Sequence, residues 1–299
     1  MADFDLTWRV VDDAPLENAA TISMCGLTAA QGLFYRMGFP CPFYGTEKFA
    51  DVEEEEPVGV LIYGATTNVG LFAAQLVRIA EKTAGKKVRL IGAASTSKHA
   101  SLKEAPYQYD VLVDYRHPDW PDRVREATGG RGVLYAVDAV SVGSTVAMVE
   151  STLSPLGRFA AYRTPTIGGF DISALKIKPI VGPVWEGLGV EIGYHGINSS
   201  FSACNLAPAN MSIGVTLPAN FEARSFPAAF FKYISQEPTS GSSVLQSVPI
   251  RLMPGGMDRI ISDGFSVLRN SSLVSKAGSH PKRDAHLQPI SMEKLVYKI

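Results

Sequence analysis

Gly64 and Gly70 close a short turn that follows an apolar, β-prone run (Val58, Val60, Leu61, Ile62, Tyr63) and opens the helical pattern LFAAQLVRIAEK. Glycines so placed could seat a pyrophosphate on a helix N-terminus, where backbone amides and the helix dipole favour an anion. Gly64 allows the tight turn, and Gly70 lets helix and strand pack closely. Between them, Ala65, Thr66 and Thr67 keep bulk out of a phosphate's way, and the two hydroxyls can donate to it. Asn68 and Val69 complete the turn. The spacing departs from the plain G-x-G-x-x-G fingerprint, so these residues alone leave a ligand-free strand-to-helix turn open.

The next candidate group follows a second apolar run, Val88–Ala94. A dinucleotide site preferring NAD places an acidic residue at the end of such a strand, to hold the ribose 2′-hydroxyl. Here the run ends in Ser95, Thr96, Ser97, Lys98 and His99, and the first carboxylate is Glu104. Hydroxyls, an ammonium and an imidazole suit a 2′-phosphate, which favours NADPH. An ordinary polar loop is the alternative. Metal chemistry has no such support. Cys25, Cys41 and Cys204 are widely spaced and odd in number, and the five histidines form no His-x-x-x-His pair, so neither a disulfide framework nor a zinc cluster is expected. His195, after VEIGY, could face a ligand or serve as a satisfied core or rim residue. No Ser/His/Asp or paired-carboxylate pattern points to a hydrolase.

The elements that must position these groups alternate along the chain. A third strand, Val111–Val113, ends in Asp114-Tyr115-Arg116. Pro118 and Asp119 start a short helix closed by Gly129-Gly130. A fourth strand, Val133–Val137, ends at Asp138, a helix spans Thr145–Leu153, and Gly157–Tyr162 makes a fifth strand. Strands alternating with helices imply βαβ units and a parallel sheet of about six strands. Strands apolar on both faces imply helices on both sides. The fold class expected is α/β, a doubly wound Rossmann-type sheet.

Composition fits a globular enzyme. The 299 residues carry 28 Lys and Arg against 29 Asp and Glu, a net charge of -1. No basic stripe marks a nucleic-acid surface. The start MADFDLTWRVVDD has no signal-peptide pattern, no apolar run approaches a membrane span, and a cytoplasmic protein is expected. The Asn-x-Ser sites at Asn198, Asn210 and Asn270 read as coincidence, and the acidic run Asp51–Glu56 as a solvated loop.

Taken together, CGLTAAQGLFYRMGFP, VLIYGATTNVGLFAAQLVRIA, VDYRHPDW, YAVDAV, PLGRFAAYR and the later SVPIRLMPGGMDRIISDGFSVLR and EKLVYKI resemble, in that order, the medium-chain dehydrogenase/reductase superfamily. Within it the chain is similar to zinc-free, trans-acting enoyl reductases of fungal polyketide pathways. The resemblance implies an NADPH-dependent reductase of α,β-unsaturated acyl thioesters, with a polyketide synthase or its acyl-carrier domain as partner. It also implies roles for residues. Gly64–Gly70 would cradle the pyrophosphate. Ser97, Lys98, His99 and Ala100 fall on the segment that holds the adenosine 2′-phosphate, and Tyr115 on the residue against adenine. Leu156, Gly157, Val274 and Ser275 fall on further cofactor stretches. Gly26, Leu27, Thr28, Ala29, Ala30, Gln31, Gly32 and Leu33 match a helix start beside the nicotinamide and acyl pocket. Val181, Gly182, Pro183, Val184 and Trp185 match a turn lining nicotinamide and substrate. No catalytic residue is assigned, although Thr28 and Tyr35 lie in the right neighbourhood as proton donors.

The departures from the family are specific. In the family a β-rich substrate domain of about a hundred residues precedes the GLTAAQ segment, whereas only residues 1–25 precede Gly26. The expected organisation is a remnant of that domain at 1–24 and a dinucleotide-binding domain at 25–245, with an irregular insert at 196–220. Residues 246–299 would return to the substrate domain, with an insert at 276–290. The returning strands, Val248–Pro254 and Leu295–Ile299, are expected to lack partners in the chain. Two other readings stay open: a zinc-free reductase of free quinones or enones, and a nucleotide-binding protein without turnover.

Overall fold

The computed structural model describes residues 3–10, 12, 14–45, 57–194, 215–236, 244–265, 267 and 284–298. Its centre is a six-stranded, all-parallel sheet of β1 (Val58–Tyr63), β2 (Val88–Ala93), β3 (Val111–Val113), β4 (Val133–Asp138), β5 (Leu153–Ala161) and β6 (Ile180–Val181), in the order β3-β2-β1-β4-β5-β6. The doubly wound sheet read from the sequence is therefore present, with its first crossover joining β1 to β2.

Alternation along β1 explains the layers. Val58, Val60 and Ile62 point into one apolar cluster, and Leu61 and Tyr63 into another on the opposite face, as a period of two requires. The first face is covered by α1 (Ser23–Ala30), α2 (Asn68–Ala84) and, further along the chain, α5 (Phe221–Ile234). The second is covered by α3 (Trp120–Ala127) and α4 (Thr145–Ser151). Helix α2 is the central prop. Leu71, Phe72, Leu76 and Val77 are fully buried, each worth about 1.5–3 kcal/mol relative to exposure. Gly85 ends the helix in the left-handed conformation (φ 65°), which a glycine adopts without the Cβ penalty.

Three expectations need correction. Helix α1 begins at Ser23, so Gly26 lies inside it, and the chain continues through a wider, π-type stretch at Gln31–Arg36. Strand β5 begins at Leu153, four residues before Gly157, because Leu153 pairs with Val133 across a register irregularity. The returning strands do have a partner: β9 (Ile250–Met253) and β10 (Lys294–Tyr297) pair with each other in parallel. Two edges with unpaired backbone groups satisfy one another, and Arg251 also ion-pairs with Glu293 across them. The remaining strands, β7 (Ile192–Tyr194) and β8 (Val215–Leu217), form an antiparallel pair. No helix among the described residues is long and apolar enough to cross a membrane.

Candidate dinucleotide site

The registers place Val113, Ala93, Tyr63, Asp138, Ala161 and Val181 in one row across the carboxyl edge of the sheet. Each strand delivers its next residues to that edge. The turn Gly64–Thr67 follows β1, Ser95–Lys98 follows β2, Asp114–Arg116 follows β3, and Gly182–Val184 follows β6. In open α/β sheets ligands bind outside this edge, where the strand order reverses, and here the reversal lies between β1 and β4. A cleft of about 320 Å³ opens there, lined by Tyr63, Gly64, Thr66, Thr67, Ala93, Tyr115, Val140, Val142 and Thr145.

The floor of the cleft is built to be narrow. Gly64 has φ 79°, and a Cβ on it would lie 2.7 Å from Val140 Cγ2; a Cβ on Gly70 would collide with the Gly64 carbonyl and lie 3.1 Å from Ala65 Cα. Thr67 caps α2, its Oγ1 accepting from the Gly70 amide at 3.0 Å and donating to the Gly64 carbonyl at 2.9 Å. The other first-turn amides have no intrahelical acceptor, and the helix starts at the cleft with its positive end. Thr66 lines the cleft directly. Ala65 is fully buried. This backbone cradle fits a pyrophosphate, since a side chain at either glycine would fill it.

The adenosine side lies over β2 and β3. Ser97 and Ala100 are exposed, and Lys98 and His99 half-buried. His99 Nε2 donates to the Ala94 carbonyl at 3.0 Å, so that ring nitrogen holds the loop instead of facing a ligand. Tyr115 is a rim residue, 37% exposed, with its ring set edge-on to Tyr63; Ser95 Oγ donates to its hydroxyl at 3.4 Å. Asp114, which sequence reading passed over, anchors this side. Its Oδ2 accepts from Thr96 N at 2.9 Å and Thr96 Oγ1 at 2.6 Å, and its Oδ1 from Arg116 N at 3.0 Å and Arg116 Nε at 2.9 Å. The Arg116 guanidinium holds this carboxyl far below the usual carboxylate range. A carboxylate at the mouth of a third strand was the available signal.

Asp138, at the end of β4, is also buried. Its Oδ1 accepts from Val140 N at 3.0 Å and Ser141 N at 2.7 Å, while Oδ2 has no partner. Burial pushes its carboxyl up to about 6, partly offset by those two amides.

A second group gathers beside β6. Gln31 Nε2 donates to the Val184 carbonyl at 3.2 Å, and Arg36 Nη2 to the Pro183 carbonyl at 3.0 Å and to Glu186 at 3.0 Å. Glu186 in turn accepts from Asn220 Nδ2 at 2.8 Å. Gly32 lies against the Tyr162 hydroxyl, which is buried without a partner, and Gly182 lies against Arg36. The structure thus brings the Gly26–Leu33 segment, which spans the end of α1 and the π-type stretch, and the turn Val181–Trp185 together. They border two depressions. One, of about 410 Å³, is lined by Val181, Gly182, Pro183, Glu186 and Asn220; the other, apolar and about 290 Å³, by Met24, Leu27, Val184, Trp185, Leu188 and Phe231. Gly26, Ala29, Ala30 and Leu33 are buried within the fold. The Thr28 hydroxyl donates back to the Met24 carbonyl at 2.7 Å, a local bond typical of threonine in helices. Burial raises the Tyr35 hydroxyl.

Leu156 and Gly157 are not brought to the carboxyl edge. They lie in the first half of β5, with Arg158 opposite Tyr135, and Leu156 is 76% exposed. Val274, Ser275 and His195 lie outside the described residues, as does Cys204. Cys25 and Cys41 are free thiols, and burial pushes Cys41 up to about 11. Among the described residues no three His, Cys, Asp or Glu side chains meet where they could hold a metal ion.

Sheet order, switch-point cleft and glycine cradle define the class: a Rossmann-like α/β fold. The comparisons carry the description further. Over 295 residues the chain is 26% identical to a trans-enoyl reductase of Alternaria alternata, covering 99% of this chain and 68% of that protein. It is 28% identical over 279 residues to a trans-enoyl reductase of Petromyces alliaceus (91% and 66%), and 24% identical over 275 residues to one of Aspergillus clavatus (91% and 65%). The chain thus spans about two thirds of the length of these relatives. No family model matches it. The fold is that of the CurK enoyl reductase, with a TM-score of 0.58, 17% identity, and coverage of 87% of this chain and 61% of that one.

Proposed function

We propose that this chain is the dinucleotide-binding part of an NADPH-dependent reductase of α,β-unsaturated acyl thioesters, acting in trans with a polyketide synthase. The observation that carries the reading is the cleft at the switch point, with a glycine-narrowed backbone cradle at one end of α2 and a hydroxyl- and cation-bearing loop beside it. The names of the relatives supply the reaction class. A nicotinamide dinucleotide bound there supplies a hydride.

The residues of this chain have separate tasks. Gly64–Gly70 seat the pyrophosphate on the α2 N-terminus. Ser97, Lys98 and Ala100 border the adenosine 2′-phosphate, and Tyr115 bounds the adenine side. The Val181–Trp185 turn, tied down by Gln31 and Arg36, orients the reacting end. Holding two reacting groups in one geometry accounts for a large part of such a rate enhancement. The apolar depression beside Leu27, Val184 and Trp185 suits an acyl chain.

The test uses the full-length protein with NADPH and an enoyl thioester carried on an acyl-carrier domain, followed by loss of the reduced nicotinamide absorbance. Turnover of the carrier-bound substrate is expected. Turnover of a free quinone without turnover of the enoyl thioester would overturn the reading.

A further inference from the structure

We propose that Arg116 is a specificity-determining residue for the adenosine 2′-phosphate, held in place by Asp114; the inference rests on the NADPH reading above. An acid near the ribose ordinarily marks a site that accepts the 2′-hydroxyl. The carboxylate on this side, Asp114, follows β3 instead of β2, and its oxygens are already taken. Thr96 N, Thr96 Oγ1, Arg116 N, Arg116 Nε and Arg116 Nη2 all donate to it. A carboxylate has about four lone-pair positions, so none is left for a ribose.

The same contacts aim the arginine. A guanidinium has five N–H donors in a rigid fork. Asp114 occupies two, one from Nε and one from Nη2. Three remain, on a side chain that is 59% exposed. Thr96 and Arg116 share Asp114 Oδ2, which fastens the guanidinium to the start of the segment that continues into Ser97 and Lys98. Arg116 is tethered on one edge and open on the other. A phosphate meeting that open edge encounters a cation whose rotamers are already restricted, which lowers the ordering cost of binding. Asp114 thereby serves as the tether of a phosphate site.

The experiment compares 2′,5′-ADP with 5′-AMP, which differ only in the 2′-phosphate, by titration calorimetry on the full chain. The wild type is expected to bind 2′,5′-ADP more tightly. Arg116→Ala and Arg116→Gln should each lose about ten- to a hundredfold in affinity for 2′,5′-ADP, the range for one charge-assisted contact, with 5′-AMP unchanged. The 5′-AMP titration also reports that each variant is folded. If both variants keep the affinity of the wild type for 2′,5′-ADP, or lose both nucleotides equally, the role assigned to Arg116 is overturned while the NADPH reading stands. A wild type that binds the two nucleotides equally overturns the NADPH reading and this inference with it.

Discussion

Single residues carry the cleft's shape and its pH response. Gly70 cannot bear a Cβ because the Gly64 carbonyl and Ala65 Cα are backbone neighbours that have no room to yield. Gly70→Ala should cost about 1–3 kcal/mol in urea unfolding, the range for overpacking, and should weaken dinucleotide binding in parallel. Lys98→Ala should weaken NADPH by ~1–2 kcal/mol and leave NADH nearly untouched, as measured by nicotinamide fluorescence. Asp138 gives a pH signature. Its folded value of about 6 stands above its ordinary 3.8, so the folded state holds the proton more tightly than the unfolded state. Below pH 3.8 both states are protonated and nothing is lost. Stability falls as pH rises from 3.8 to about 6, and the penalty is constant above. Asp138→Asn keeps an acceptor for Val140 N and Ser141 N and cannot ionise. Its stability relative to wild type should therefore rise across that window, by on the order of 3 kcal/mol from its low-pH value, and then level off, read from unfolding curves at stepped pH. A gap that does not change with pH would show that Asp138 titrates normally.

At the scale of elements, the unit that matters most is β1–turn–α2, and it was also the most legible. Val58–Tyr63 is a fully buried strand, Gly64 breaks it, and the apolar spacing from Leu71 to Ala80 fits one helix face. Helix α2 duly runs over Asn68–Ala84. Its cap predicts a further result. Thr67→Ala should lose about 1 kcal/mol, whereas Thr67→Ser, which keeps the oxygen that accepts from Gly70 N, should lose much less in the same unfolding assay. Other features were not legible, for reasons of chain separation. The carboxylate that fastens Thr96 lies 18 residues further on, and only the β2–β3 pairing brings the two together. Strands β9 and β10 find each other across more than forty residues, and each alone looks like a strand awaiting a partner elsewhere. Leu156 and Gly157 were assigned by resemblance alone, and the strand that holds them starts at Leu153, before a register irregularity in its pairing with β4. A short local pattern carries no trace of such a shift.

At the scale of the whole molecule, the row from Val113 to Val181 orders the site from end to end. The β2–β3 side offers hydroxyls and cations, the β1–β4 crevice offers backbone amides, and the β6 side offers an arginine-braced turn over an apolar depression. A dinucleotide laid along that edge, with its adenosine over β2 and β3, presents its reacting end beside Val181–Trp185. The proposed preference of this edge for NADPH over NADH is checked by an equilibrium titration of both cofactors into the chain, followed by nicotinamide fluorescence. NADPH should bind at least about tenfold more tightly, the equivalent of one charge-assisted contact. Equal affinity for the two cofactors, or no binding of either, would contradict it.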